Sequence, residues 1–178
     1  MIDRTPPLIR DAVPEDAAAC AAIYRPYVTG SVATFETDPP DAAAFAHRIA
    51  VAQQRHAWLV AERDAQVVGY AYAGPFRDRP AYDWSCETTV YLHPAARGAG
   101  VGRALMTALI GRLRERGLLR ALAVITVPNA ASTGLHDGLG FRQVARLPRI
   151  GWKHGAWHEV VWLQLDLGEA DAAPAPLR

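Results

Sequence analysis

The sequence predicts an α/β (α+β) chain: one mixed, mostly antiparallel sheet with helices on both faces. Three observations lead there. Residues 119–128, "LRALAVITVP", form a nearly unbroken apolar run, as a strand covered on both faces requires. Leu105, Leu109 and Leu113 recur every fourth position, the spacing of one buried helix face. Two pairs of strand-like runs are joined by short turns and read as antiparallel hairpins. One is "AWLVAE" and "VVGYAYAG" around "RDAQ"; the other is "FRQVARLPRIGWKHG" and "WHEVVWLQLDL".

Taken in order, Leu8-Ile9-Arg10 is a short first strand. "DAVPED", from Asp11 to Asp16, is a helix-start signal: a capping-type residue, then proline and acids in the first turn. The helix runs through "AAACAAIYRPYV" to about Val28, with Pro26 distorting its last turn. "GSVATFETDPP" is a loop, and Asp41 opens a second, alanine-rich helix. After the first hairpin, "PFRDRPAYDW" is a loop and "SCETTVYLH" the central strand, rich in Thr, Val and Tyr. The Leu105–Leu113 helix follows and stops at Gly117. A short helix lies between Asn129 and Gly140, then the final hairpin. The order is β-α-α-β-β-β-α-β-α-β-β. The domain is expected over residues 8–167, with 168–178, "GEADAAPAPLR", as a disordered tail.

With 178 residues the chain is long enough for one domain and a sizeable core. Lys and Arg total 19 against 18 for Asp and Glu, so no basic excess points to nucleic acid. No apolar run approaches the roughly 20 residues of a membrane span. The N-terminus, "MIDRTPPLIR", carries charges and prolines where a signal peptide needs an apolar core. The two cysteines, Cys20 and Cys86, are far apart and suit a reducing compartment, so a cytoplasmic protein is expected. His154 and His158 flank a hairpin turn with no third ligand nearby, and no metal is expected.

The most informative stretch is "HPAARGAGVGRAL", His93 to Leu105, between the central strand and a helix. Glycines there allow φ > 0 and close approach of the backbone to a ligand. A helix start presents free N–H groups and partial positive charge, so the expected ligand is an anion, a phosphate above all. The Walker pattern fails, because Gly98 leads to Arg103 with no Lys-Ser/Thr pair. The Rossmann pattern fails too: Arg103 stands where its third glycine belongs. What fits is R-x-x-G-x-G, at Arg97, Gly100 and Gly102. An ordinary strand-to-helix turn with incidental glycines is the alternative.

That pattern resembles the pyrophosphate loop of the GNAT superfamily of acyl-CoA N-acyltransferases. Asn129 and "HDGLGF", residues 136–141, resemble the family's later segment, with His136 where tyrosine is usual. The match sharpens in "AYAGPFRDRPAYDWSCETTVYLHP", "AVITVPNAASTGLHDGLGF" and "GWKHGAWHEVVWLQLDL". These resemble the phosphinothricin and methionine-sulfoximine N-acetyltransferases, over nearly the whole chain from Ile9 to Leu167. The resemblance implies a GNAT fold, acetyl-CoA as co-substrate, a homodimer, and acetylation of the α-amino group of a small glutamate-like amino acid. It implies cofactor contacts from Val90, Tyr91, Leu92, Arg97, Gly98, Ala99, Gly100, Val101, Gly102, Arg103, Asn129 and Ser132. The Leu92 N–H is the expected oxyanion donor by the same analogy.

Amide formation from a thioester needs a deprotonated amine, a donor for the developing oxyanion and a proton for the departing thiolate. Glu87 is the expected base, on one strand face with Thr89 and Tyr91; Thr88, Val90 and Leu92 share the other. His136 is the second proton carrier, since imidazole titrates near neutrality. Its direction of transfer stays open. A substrate carboxylate calls for arginine forks, and Arg77, Arg79 and Tyr82 in the loop before Glu87 match the subfamily's substrate loop. Phe35 and Glu36 resemble a segment that closes over the pocket. Arg112, Arg114 and Arg116 read as a solvated helix face. Two alternatives remain: another amine acceptor, such as a polyamine, an aminoglycoside or a protein N-terminus, and a non-catalytic acyl-CoA sensor. The arginine-bearing loop disfavours the first, and the pairing of Glu87 with His136 disfavours the second.

Overall fold

The computed structural model describes residues 6–169 and 173–177. Seven strands form one sheet in the order β1-β2-β3-β4-β5-β7-β6. They are β1 (Leu8–Asp11), β2 (Trp58–Arg63), β3 (Gln66–Pro75), β4 (Ser85–Leu92), β5 (Arg120–Val127), β6 (Arg142–Lys153) and β7 (Ala156–Asp166). The helices are α1 (Ala17–Gly30), α2 (Ala42–Arg55), α3 (Val101–Glu115) and α4 (Ala130–Asp137). Every neighbouring pair of strands is antiparallel except β4 and β5.

The two faces carry separate cores. Cys20, Ile23 and Val28 of α1 and Phe45 and Ile49 of α2 pack with Trp58, Tyr70 and Tyr91. On the other face Leu105, Leu109 and Leu113 of α3, each fully buried, pack on Leu59, Ala71, Ala121 and Ala123. The fourfold leucine spacing is therefore the contact face. Leu109→Ala should lower the unfolding free energy by about 2–5 kcal/mol, the range for a large-to-small change at a fully buried site, read by denaturant titration.

Local signals place most boundaries. Asp41 caps α2, its carboxylate accepting from Ala44 N at 2.8 Å. The β2–β3 turn puts Asp64 and Ala65 at φ 49° and 58°, the twist a two-residue hairpin needs. Gly117 stops α3 at φ +87°.

Local details depart from the expectations. Asp11 does not cap α1; it ends β1 and pairs with Arg112 at 3.1 Å. Asp16 stands at the N-cap of α1 without a side-chain capping bond; its carboxylate instead reaches back to close the preceding 3-10 turn Pro14–Asp16, accepting from Val13 N at 2.8 Å, and holds Arg10 in a fork at 2.7 and 2.9 Å. That guanidinium pulls the Asp16 carboxyl below its ordinary range. Pro26 lies inside α1, which ends at Gly30, two residues past the expected Val28. Arg112 and Arg114 are exposed, as a solvated face requires, while Arg116 is half-buried; Arg114 donates to Leu167 O and Arg116 to Gln53 O. Within the tail expected to be disordered, residues 173–177 lie against the body. Trp84 Nε1 donates to Ala175 O at 2.8 Å, and Leu177 packs beside the α3 core; residues 170–172 and 178 lie outside the described residues.

The sheet divides between β4 and β5. β4 and β5 pair only at Ser85↔Arg120, Cys86↔Ala121 and Glu87↔Leu122. β4 continues to Leu92 beside β3, and β5 to Val127 beside β7, so the sheet splits into a wedge. Thr88 Oγ1 closes the end of the shared ladder, donating to Leu122 O at 2.9 Å.

Candidate active site

The wedge leaves backbone groups without a ladder. His93 N donates to Val68 O, on the β3 side. Alternation then turns the N–H and C=O of Leu92 and Val90 toward the open side. At Leu92 both are taken by one hydroxyl: Tyr27 Oη donates to Leu92 O at 2.6 Å and accepts from Leu92 N at 3.2 Å. A cavity of about 760 Å³ fills the wedge. Because the strands have parted, it opens to both faces of the sheet. Tyr24, Tyr27, Glu87, Thr89 and Tyr91 line it from the α1/α2 side, and Val90, Leu92, Ser132, Leu135 and His136 from the α3/α4 side.

The cavity lining reaches Pro94 and Arg97, where the glycine loop starts, and Gly98 to Gly102 lie outside that lining. Gly98 (φ +74°) and Gly100 (φ +79°) both sit in the left-handed region, which explains glycine there. Gly100 is also the N-cap of α3, with no side-chain hydrogen bond. The first amides of α3, at Val101, Gly102 and Arg103, have no intrahelical acceptor by helix geometry. Gly102 has neither a positive φ nor a clash behind it: a Cβ there would stand 3.4 Å from Leu135 and 3.5 Å from Leu92, ordinary contact distances. The Val101 side chain is core, and Ala99 packs against that core. Arg97 lines the cavity with its guanidinium 5.1 Å from the Tyr27 ring centre. Arg103 does not line the cavity; its fork lies across Gly138 and donates to Gly138 O at 3.0 Å. Asn129 caps α4, accepting from Ser132 N at 3.1 Å, and both residues line the cavity.

Glu87 and His136 meet at this cavity from opposite faces. Burial pushes the Glu87 carboxyl above its ordinary value, opposed by the positive charge of Arg77. His136 is 3 % exposed, and burial pushes its imidazole down, opposed by the Ser132 carbonyl. Its Nδ1 lies 2.8 Å from Ser132 O. A carbonyl only accepts, so Nδ1 carries the proton. Nε2 then bears a lone pair, and it is buried with no partner among the described residues. The geometry gives a neutral imidazole with an acceptor free.

The segment before α2 forms the roof. Phe35 and Glu36 both line the cavity, together with Thr34 and Tyr72. Arg48 forks onto Glu36 at 2.8 and 3.1 Å, and Tyr24 Oη donates to Glu36 at 3.2 Å. Arg77, Arg79 and Tyr82 are not brought to the cavity lining; all three are exposed on the β3–β4 loop. Arg77 lies over Phe76 at 4.4 Å and Trp162 at 5.3 Å, close enough to act on Glu87 through its charge. Among the described residues no three His, Cys, Asp or Glu side chains gather as a metal site.

Residues 18–141 match the family model described as "Acetyltransferase (GNAT) family". The chain belongs to the GNAT acetyltransferase family. It is an N-acetyltransferase with the GNAT fold. Among relatives of this GNAT chain, the phosphinothricin N-acetyltransferase of Streptomyces viridochromogenes is 39 % identical, covering 99 % of this chain and 96 % of the relative. The L-methionine sulfoximine/L-methionine sulfone acetyltransferase of Pseudomonas paraeruginosa is 38 % identical over 93 % and 98 %. The crystal structure of a phosphinothricin acetyltransferase from Sinorhizobium meliloti in complex with AcCoA superposes with a TM-score of 0.92. It is 37 % identical, covering 96 % of this chain and 94 % of that one.

The glycine loop, Glu87 and His136 were visible in sequence. Tyr27, Tyr24, Thr34, Arg48, Tyr72 and Lys153 were not. Tyr24 and Tyr27 had a signal: hydroxyls three apart on an otherwise alanine-rich helix share one face. Arg48 and Lys153 had none, because their partners lie on other elements.

Proposed function

We propose that the protein transfers the acetyl group of acetyl-CoA directly to the α-amino group of a small glutamate-like amino acid. Candidate acceptors are phosphinothricin, methionine sulfoximine and methionine sulfone. The observation that carries this is the wedge cavity, where Glu87 and His136, whose Nε2 is buried without a partner among the described residues, line one space that reaches Arg97 at the start of the glycine loop. The relatives' names supply the acceptor class.

The residues fit the co-substrate. Loop amides from Gly98 to Arg103 and the α3 N-terminus suit a diphosphate, and Arg97 adds a cation. The wedge edges of Val90 and Leu92 suit an extended amide-bearing arm, with Asn129 and Ser132 across from them. Bound acetyl-CoA supplies a thioester, whose carbonyl carbon forms the new C–N bond as the C–S bond breaks. Val90 N–H is the better oxyanion donor. At about 3.4 Å per residue, Leu92 lies some 17 Å along β4 from Glu87, and its amide already has Tyr27.

Glu87 takes the ammonium proton, and burial brings its basicity closer to that task. His136, neutral and with Nε2 accepting, orders the amine and takes a proton before it can give one to the thiolate. His136→Gln should lower kcat/KM by about 10²-fold. Only neutral His136 accepts, so activity falls as pH drops through its lowered pKa, below 6.5. In the variant that contribution to the acid limb should vanish. Profiles of identical shape would contradict the role. An acceptor panel scored by thiol release tests the function itself: acceptor-dependent release supports it, and none across the panel overturns it.

Arg77, Arg79 and Tyr82 are proposed to steer the acceptor carboxylate from the rim. A cytoplasmic homodimer completes the reading. Two free, buried cysteines suit a reducing compartment, and Val144, Ile150, Trp152 and Trp157 leave an apolar surface on the β6–β7 hairpin. Light scattering should return twice the chain mass; a single chain mass would overturn the dimer.

A further inference from the structure

We propose that Gly151 is a specificity-determining residue: its missing side chain seats the Phe35 ring, and that seat sets the room the cavity leaves for the acceptor. The proposal rests on the acceptor reading above and adds the element that shapes the pocket. A Cβ on Gly151 would stand 2.1 Å from Phe35 Cε2 and 2.2 Å from Phe35 Cζ. Neither is a distance two carbons can keep. Gly151 has no positive φ, so space and not backbone conformation demands glycine.

The backbone on both sides of the ring is pinned, so the ring, 39 % exposed, can yield only by turning about its own torsions. Thr34 is held twice: its Oγ1 shares a 2.6 Å hydrogen bond with Tyr24 Oη, and its carbonyl accepts from Lys153 Nζ at 2.8 Å. Glu36 is held by Arg48 and Tyr24. Phe35 stands between these anchors with only its side-chain torsions free. The β6–β7 hairpin supplies the other half of the seat. The register shifts between Leu147 and Gly151, which brings Gly151 opposite His158. The His158 ring lies 6.3 Å from Phe35, and its Nε2 is 2.9 Å from Lys153 O. The same hairpin thus fixes the segment through Lys153 and receives its ring at Gly151. Phe35 lines the cavity that holds Glu87 and His136. Any side chain at 151 must turn the ring from its seat and reshape that space.

The test is a double-mutant cycle on Phe35→Ala and Gly151→Ala, with phosphinothricin, methionine sulfoximine and methionine sulfone as acceptors. Gly151→Ala should lower acceptor kcat/KM by about tenfold, carried by KM, and change the ranking of the three acceptors. Calorimetric acetyl-CoA affinity should stay within about twofold. In the Phe35→Ala background, adding Gly151→Ala should change acceptor kcat/KM by less than about twofold, because the clash has gone. Melting temperatures of the four proteins should show the same non-additivity without substrate. Additive effects, or a Gly151→Ala chain that unfolds even beside Phe35→Ala, overturn the seat. A parent enzyme that acetylates none of the panel while the melting cycle stays non-additive overturns the acceptor reading instead, and the specificity role with it.

Discussion

Glu87→Gln is expected to lower kcat by about 10²–10⁴-fold, the range for losing a positioned proton acceptor. The amide keeps the carboxylate's shape but cannot take a proton, so acetyl-CoA affinity should change by less than about twofold. The same substitution should stabilise the fold at alkaline pH. Burial raises the Glu87 pKa in the folded chain above its ordinary value of 4.5. The folded state therefore holds a proton more tightly than the unfolded one, and its charged form costs stability at high pH. That cost is relieved as pH falls through the raised pKa. Glutamine removes it, so the variant's melting temperature should exceed the parent's at pH 8, and the gap should narrow toward pH 4.5. A variant that keeps its turnover, or is destabilised at pH 8, contradicts the placement of a strained base here.

Gly100→Val is expected to weaken acetyl-CoA binding by about tenfold to a hundredfold. Two effects add. Gly100 sits at φ +79°, and a β-branched residue held in the left-handed region costs about 1–3 kcal/mol. Relief comes by moving the loop, which misaligns the amides at the start of α3. A Cβ at Gly100 meets nothing within 4 Å, so the folded body itself has room for it. The loss should appear in the acetyl-CoA dissociation constant by calorimetry, beside a fall in melting temperature from the strain at φ +79°. Gly98→Val, at φ +74° and equally open, should behave alike. An unchanged dissociation constant in both would mean that the loop does not hold the diphosphate.

How far the sequence carried the reading depended on whether a signal was local. The leucines of α3 announced a helix face because their partners are one turn apart, and all three are core. Gly98 and Gly100 announced a backbone conformation that few other residues adopt. Glu87 stood out as a carboxylate on the central strand. What stayed hidden depends on chain crossings. The parting of β4 and β5 arises because β5 follows β7 while β4 follows β3, and neither strand's own residues state it. That parting lets His136 reach the space of Glu87 from the opposite face. Tyr27 at Leu92, Lys153 at Thr34 and Gly151 under Phe35 are contacts between distant segments. Arg77 was legible as a cation near the site, but the sequence could not say that it acts from the rim.

The central claim is that the α3 N-terminus and its glycine loop hold a diphosphate, with the attached arm running down the wedge toward Glu87. A crystal structure of the protein with acetyl-CoA tests it most directly. The account predicts diphosphate oxygens within hydrogen-bonding distance of amides between Gly98 and Arg103, and the thioester carbonyl beside Val90 N. Nucleotide density elsewhere on the surface, or a wedge that the arm does not enter, would contradict it.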